Sequence, residues 1–289
     1  MTATAAQISL QPAAPLGVQP LTDSEFTRCR QLVEREIGIH LSDAKRPLVV
    51  SRLMRRLRLL RISTFTEYLD AAARDPRERR AMLDAICTNE TSFFREPRHF
   101  ELLRTAIFPR WRAAALAGER PRRIRIWSAA CSTGEEPYSL AMILLDEFGA
   151  SEWDLRIDAT DVSARALEQA QRGIWPLHKA TPVPEPFLRR FMLRGTRARA
   201  GTFQAGHDVR SILRFGHLNL VEEKYSMDQY DAVLCRNVLI YFTASLRAAV
   251  VHRLIGHVSP GGYFFVGHAE SLAGVTEKVR PVVPTVYVC

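Results

Sequence analysis

The chain has 289 residues, enough for two ordinary domains or for one α/β domain with an accessory piece. Hydrophobic residues make up 47% and charged residues 25%, the balance of a soluble globular protein, and the formal net charge is +9. No apolar run approaches the ~18 residues of a membrane span, and the start lacks a signal peptide's charged opening and apolar block, so a cytoplasmic chain without direct membrane insertion is expected.

Residues 1–20 are rich in Ala, Gln and Pro and read as a disordered tail. Thr22-x-x-Glu25 is a capping box, with Leu21 and Phe26 placed as a hydrophobic staple around it. Phe26, Cys29, Leu32, Val33 and Ile37 then recur at helical spacing. Pro47 is tolerable only near a first turn, so a second helix begins close to it. Its apolar stripe is Val50, Leu53, Met54, Leu57 and Leu60, with Arg52, Arg55 and Arg56 on the opposite side. Thr64-x-x-Glu67 caps a third helix that Asp75-Pro76 breaks, and RERRAMLDAICT supplies a fourth. Residues 21–88 therefore form an all-helical domain, and 89–289 the remainder.

From about residue 96 helices and strands alternate. A helix near Pro97–Ala117 precedes IRIWSAACSTGEEPYSLAMILL (124–145), a strand, a small-residue turn at Ser132–Gly134 and a helix. Such a unit is where open α/β sheets bind nucleotide-like cofactors. The turn has neither GxxxxGK[ST] nor GxGxxG, and Glu135 and Glu136 crowd the helix start. Two carboxylates there repel a diphosphate and favour a cationic cofactor, as S-adenosylmethionine is. LRIDATD is a strand ending on Asp161, followed by the helix SARALEQAQRG. Residues 175–211 interrupt the alternation with short β segments and Gly195 and Gly201 turns, a small inserted antiparallel β subdomain. ILRFGHLNL (212–220) and DAVLCRN (231–237) are buried strands; SLRAAVVHRLIGHV is a helix stopped by Pro260-Gly261-Gly262. GYFFVGH is a further strand, and VRPVV with TVYVC closes as a hairpin. The sum is a doubly wound α/β sheet of seven strands with one antiparallel edge.

Five cysteines (Cys29, Cys87, Cys131, Cys235, Cys289) without a CxxC argue against disulfides and against a metal site. The cations are nearly all Arg, with lysine only at Lys45, Lys179, Lys224 and Lys278; a basic surface suits nucleic acid or an acidic protein face. Asp161 sits where a carboxylate accepts ribose hydroxyls, and also where it would cap the next helix. Glu136 is the candidate for a cofactor ammonium, while Glu135 answers the helix dipole. In TNETSFFREPRHF (88–100), Asn89, Thr91 and Arg95 are polar without helical periodicity, and Arg95 suits a carboxylate or an interdomain salt bridge. Arg236 and Asn237 interrupt the apolar run CRNVLIYF, where Tyr241 either reaches the reacting atoms or bonds a backbone group. Asn219 is placed for adenine or its ribose, or for a turn. His268 reads as structural.

Taken together, TNETSFFRE, WSAACSTGEEPYS, CRNVLIYF and GHAES resemble the CheR-type chemotaxis receptor methyltransferases, which esterify glutamate side chains of bacterial chemoreceptors. The resemblance covers everything after residue 20 and implies a class I methyltransferase-like sheet with S-adenosylmethionine as cofactor. It implies cofactor contacts at Asn89, Thr91, Arg95, Glu136, Asp161, Asn219, Leu220, Arg236 and Asn237, and catalytic positioning by Arg95 and Tyr241. The position of Cys131 is commonly Ala in that family. The partner implied is the receptor cytoplasmic domain, met by Arg52, Arg55, Arg56 and Arg58. RGTRARAGTF resembles a loop with which some members capture a receptor C-terminal peptide by strand addition. The rival readings are a nucleic-acid methyltransferase, against which stands the lack of a Pro-Pro-aromatic base cradle, and a cofactor-binding adaptor without turnover.

Overall fold

The structure is a computed structural model that describes residues 17–149 and 151–289. Of the tail expected over 1–20, residues 1–16 lie outside the described residues, and Gln19 donates its amide to the Ser63 carbonyl at 2.9 Å. The fold divides into two units, one from the described residues up to Arg35 with Leu41–Ile86, the other from Glu36–His40 with Cys87–Cys289.

In the first unit local capping sets the helix starts. Helix α1 (Asp23–Ile37) follows a reciprocal box in which the Thr22 amide donates to Glu25 Oε2 (2.8 Å) and the Glu25 amide to Thr22 Oγ1 (3.3 Å). Leu21 and Phe26 are buried beside it. Helix α2 (Arg46–Leu60) carries Pro47 in its first turn, and α3 (Phe65–Arg74) is capped by Thr64 Oγ1, which accepts from the Glu67 amide. Helix α4 (Pro76–Ile86) completes the unit. The buried row of α2 is Val49, Leu53 and Leu57; Val50 is half-buried and Leu60 exposed at the end of the helix. The expected arginine face also divides. Arg56 grips Glu78 on α4, Nε donating to Oε1 at 3.0 Å and Nη2 to Oε2, while the Tyr68 hydroxyl donates to the same carboxylate at 2.8 Å. Arg52 donates to the Ile86 carbonyl. A carboxylate as buried as Glu78 requires a cationic partner, and Arg56 is it. Arg55 and Arg58 point to solvent.

The second unit begins with α5 (Pro97–Leu102), a π-helical turn at Leu103–Ile107, and α6 (Phe108–Leu116). Pro109 has no amide for the Thr105 carbonyl, and the widened turn falls just before it. Then follow β1 (Arg123–Ala129), α7 (Glu135–Phe148), β2 (Asp154–Asp161), α8 (Ala164–Arg172), β3 (Ile174–Pro176), α9 (Glu185–Phe191), β4 (Met192–Arg194), β5 (Thr202–Ala205), α10 (His207–Ser211) and β6 (Leu213–His217). The remaining elements are β7 (Tyr230–Cys235), α11 (Ala244–Ile255), β8 (Val258–Val266), β9 (Arg280–Val283) and β10 (Val286–Val288). Seven strands form one sheet in the order β6-β2-β1-β7-β8-β10-β9, parallel from β6 to β8 and antiparallel at β10 and β9. The insert contributes a separate antiparallel sheet, β3-β5-β4. From β1 the chain winds outward through β2 to β6, then returns to lay β7 on the other side of β1. That reversal opens a crevice past the carboxyl ends of β1 and β7, the topological switch point.

Two boundaries differ from the sequence reading. Strand β6 stops at His217, so Asn219 and Leu220 lie in the turn beyond it. Helix α11 ends at Ile255, and Pro260-Gly261-Gly262 sits inside β8. There the register against β7 jumps from Val258↔Tyr230 to Tyr263↔Ala232, and a strand irregularity tolerates a residue that cannot donate a ladder bond.

Gly134 ends the loop before α7 at φ +96°, and a Cβ there would lie 2.9 Å from Ala170 Cβ and 3.1 Å from Ala170 Cα. Gly134→Ala therefore combines left-handed strain with a clash against α8, and a loss of about 2–4 kcal/mol is expected in urea unfolding. Gly118→Ala, at φ +76° in open space, serves as the control and should lose about 1–2 kcal/mol.

Candidate functional site

The crevice is built from the turns at the carboxyl ends of β1, β2, β7 and β8. Past Ala129 the backbone turns sharply, with φ 62° at Ala130, 51° at Ser132 and 96° at Gly134. The turn is tied to the end of β2. The Cys131 amide donates to the Thr160 carbonyl at 2.9 Å, and the Ser132 amide to Asp161 Oδ2 at 2.8 Å. Asp161 Oδ1 accepts the Ser163 amide at 2.8 Å, so this buried carboxylate is fixed from both sides. Ser132 Oγ donates to the Asn89 carbonyl at 3.1 Å, which brings the 88–100 segment to the same loop. Thr91 is half-buried in that segment.

The paired acids at the start of α7 part company. Glu135 is fully buried, accepts from Thr133 Oγ1 at 2.6 Å and pairs with Lys179 of the insert. It answers more than a helix dipole, because it anchors the insert to α7. Glu136 faces the crevice, its Oε1 accepting from Ser128 Oγ at 2.7 Å and its Oε2 from Arg236 Nη1 at 2.8 Å. A carboxylate oxygen accepts two bonds, so each still has capacity for a cationic ligand.

Arg236, just past β7, is the centre of the site, with its side chain 2% exposed. Besides Glu136 it donates to Glu96 Oε2 from Nε (3.3 Å) and Nη2 (2.9 Å), and from Nη2 to the Arg95 carbonyl. Glu96 Oε1 accepts from Asn237 Nδ2 at 3.1 Å and from the His268 amide at 3.0 Å. Burial pushes the Glu96 carboxyl up, but the His268 amide, Arg236 and Asn237 outweigh it and hold it at about 2. His99 Nδ1 lies 3.5 Å from Glu96 Oε2, and Nε2 lies 2.9 Å from Thr285 Oγ1. Burial first, and Arg236 second, lower His99 to about 4. Glu96, His99 and His268 are of metal-ligand type and converge. Yet Glu96 Oε2 is already gripped by two Arg236 nitrogens, and a dication there would face a buried guanidinium. The turn after Asn237 is held by Glu270, whose Oε2 accepts the Asn237 (2.8 Å) and Gly267 (2.7 Å) amides and whose Oε1 accepts the Ile240 amide (3.2 Å).

Glu136, Arg236, Asn237 and the Arg95 backbone thus form one connected network, with Asp161 and Asn89 joined through Ser132. The Arg95 side chain is exposed, and its Nη1 donates to the Glu90 carbonyl at 3.1 Å. A cleft of about 890 Å³ opens beside Arg95 and Glu96, walled by Phe94, Phe100, Pro184 and Phe187. Asn219 is engaged by backbone groups, Nδ2 donating to the Glu36 carbonyl 183 positions away (2.7 Å) and Oδ1 accepting the Val221 amide (3.1 Å). The Leu220 carbonyl accepts from the Tyr225 hydroxyl (2.7 Å) and from Arg253 (3.0 Å). Tyr241 is half-buried, and its carbonyl accepts the His40 amide at 2.8 Å. Sequence reasoning missed Glu96 and Glu270 as site residues, although both lie in motifs it quoted. A carboxylate inside a non-periodic motif is the only trace they leave. Toward S-adenosylmethionine the donor set fits: Glu136 at the start of α7 and Asp161 at the end of β2 offer acceptors for an ammonium and for hydroxyls.

The chain is similar to known proteins over most of its length. Residues 89–288 match the family model described as CheR methyltransferase, SAM binding domain, and residues 24–87 match CheR methyltransferase, all-alpha domain. The chemotaxis protein methyltransferase 2 of Pseudomonas aeruginosa is 39% identical over 92% of this chain and 93% of its own length. The chemotaxis protein methyltransferase of Salmonella typhimurium is 35% identical over 92% and 90%. Among solved structures, the glycopeptide N-methyltransferase MtfA in complex with S-adenosylmethionine matches at 14% identity and a TM-score of 0.37, over 68% of this chain and 58% of that one.

Two measurements check the site's construction. Lys179→Met leaves the buried Glu135 carboxylate unpaired and should lower stability by about 3 kcal/mol, whereas adding Glu135→Gln should recover part of the loss in urea unfolding. His99 stays neutral in the native state until about pH 4, while the unfolded chain takes the proton near 6.5. Stability from this group is therefore complete above pH 6.5 and declines toward pH 4, by at most about 3 kcal/mol. In His99→Gln the thermal midpoint should lose that part of its pH slope.

Proposed function

The chain belongs to the CheR methyltransferase family, and from that premise we propose that it transfers a methyl group from S-adenosylmethionine to glutamate carboxylates in the cytoplasmic part of chemoreceptors, leaving methyl esters. The observation that carries this reading is the buried Arg236, which joins Glu136 at the cofactor end of the crevice to the Arg95 backbone. When bound, the cofactor supplies an electrophilic methyl on a sulfonium. Glu136 would hold its ammonium and Asp161 its ribose hydroxyls, with Asn89, Thr91, Asn219, Leu220 and Asn237 lining the rest.

A glutamate side chain is already ionised at neutral pH, so its oxygen needs no general base. The site is built accordingly. His99, the buried histidine beside the network, is held at about 4 and lies against Thr285, which suits a structural part rather than proton abstraction. What remains is orientation, which can lower a barrier by roughly 7–11 kcal/mol. Arg95 is suited to hold the carboxylate oxygen that does not attack, since pairing with the attacking one would blunt it. Tyr241 follows Ile240 in the turn that Glu270 fixes, and we assign it the second positioning role, with its hydroxyl toward the reacting atoms.

Exposed Arg55 and Arg58 on α2 are the arginines placed to meet an acidic receptor helix, Arg52 and Arg56 being tied down within their own unit. The edge strand β4 and the loop through Arg197 and Arg199 are suited to strand addition by a receptor C-terminal peptide. Among the described residues no helix is long and apolar enough to cross a membrane, and we place the enzyme in the cytoplasm with its receptors' signalling domains.

The test is transfer of labelled methyl groups to receptor cytoplasmic fragments, followed by mild alkali. Label released as methanol supports glutamate esters; label retained after alkali, or taken up by RNA instead, overturns the reading. Arg95→Ala should keep its fold while losing about 100-fold or more in turnover.

A further inference from the structure

Arg95 sits between two residues in the left-handed region, Phe94 at φ 51° and Glu96 at φ 59°. Neither is glycine. Left-handed backbone is costly for a residue with a Cβ, and a strained pair persists only where its surroundings over-determine it. Phe94 is fixed by its amide, which donates to Ser139 Oγ at 3.0 Å, and by stacking on Phe187 at 5.6 Å between centroids. Glu96 is fixed chiefly through its carboxylate, its carbonyl accepting the His99 amide at 3.0 Å as α5 begins. That carboxylate takes Arg236 and Asn237 from the turn after β7 and the His268 amide from the turn after β8, with His99 alongside. Arg236 then closes the loop by donating to the Arg95 carbonyl, so one guanidinium holds Glu136, Arg95 and Glu96 together.

We propose that Glu96 is a positioning residue for methyl transfer: its carboxylate clamps the strained Phe94–Glu96 turn onto Arg236 and thereby presents the Arg95 guanidinium to the substrate carboxylate. The proposal rests on the reading of Arg95 given above. In this role Glu96 acts through Arg95. Glu96→Gln retains the shape, but it removes the charge that Arg236 and the His268 amide answer. Glu96→Gly relieves the backbone strain and deletes the clamp.

The experiment measures steady-state methyl transfer to a receptor cytoplasmic fragment, with S-adenosylhomocysteine binding by calorimetry, for full-length Glu96→Gln, Glu96→Gly, Arg95→Ala and the Arg95→Ala/Glu96→Gln double variant. For both Glu96 variants kcat should fall about 100-fold, the loss expected when a catalytic group is displaced by about 1 Å, while product affinity and KM change less than about 3-fold. The double variant should be no slower than Arg95→Ala, because Glu96 acts through Arg95. A Glu96→Gly enzyme with near-normal kcat overturns the proposal. So does a double variant whose losses multiply. Near-normal turnover in Arg95→Ala would instead overturn the reading of Arg95, and the two failures are separately visible.

Discussion

The rest of the site depends on one buried cation. Arg236 has almost no access to water, and taking its charge out of water is repaid only by well-placed partners. It has two carboxylates, Glu96 and Glu136, and a carbonyl, Arg95. Two acids against one base leave the cluster with a residual negative charge at the mouth of the crevice. That residual charge is what a sulfonium and an ammonium need, and a diphosphate would be repelled by it. The same guanidinium that neutralises half of the acidic charge also ties the cofactor end of the crevice to the backbone that carries Arg95. Buried ion pairs seldom add net stability over an apolar replacement, so the more persuasive account of this one is the geometry it imposes.

The topology makes that convergence possible. The reversal between β1 and β7 places the turn after β1 next to the turn after β7, and β8 runs alongside. Glu136, Arg236 and His268 are therefore neighbours although more than a hundred residues separate the first from the last. Glu135 uses the opposite side of the same helix start. By pairing with Lys179 it fastens the insert to α7, so one acidic dipeptide serves both the crevice and the subdomain.

Features set by local chemistry were legible in the sequence. The Thr22–Glu25 box, the Thr64 cap and the Pro47 helix start each involve residues within one turn, and each stands where the pattern put it. The strand–turn–helix unit at 124–145 and the end of β2 on Asp161 were equally plain. Features set by distant partners were not. A helical wheel places Arg56 opposite the apolar stripe, yet Glu78 lies 22 positions away and draws it inward. Glu96 meets Arg236 across 140 positions, and no periodicity announces such a meeting. By its residue type alone Pro260 ends a helix, because proline breaks helices. In the sheet it occupies an irregularity that the register of β7 and β8 creates.

The chemistry decides which groups can matter. An ionised carboxylate attacking a sulfonium methyl requires neither a base nor an oxyanion hole, so a poised histidine would be superfluous. The one buried histidine in the network has been pushed to about 4 and set against a threonine hydroxyl. An enzyme freed from proton transfer must gain its rate from alignment, and alignment is only as good as the backbone that carries the aligning group. A relaxed turn at 94–96 would let Arg95 sample many directions. Left-handed φ at both Phe94 and Glu96 is incompatible with the common backbone conformations, and aromatic packing on one side and a four-way carboxylate on the other hold the rare one. The strain and the clamp are two halves of one device, and its rigidity is what a reaction without acid–base steps requires.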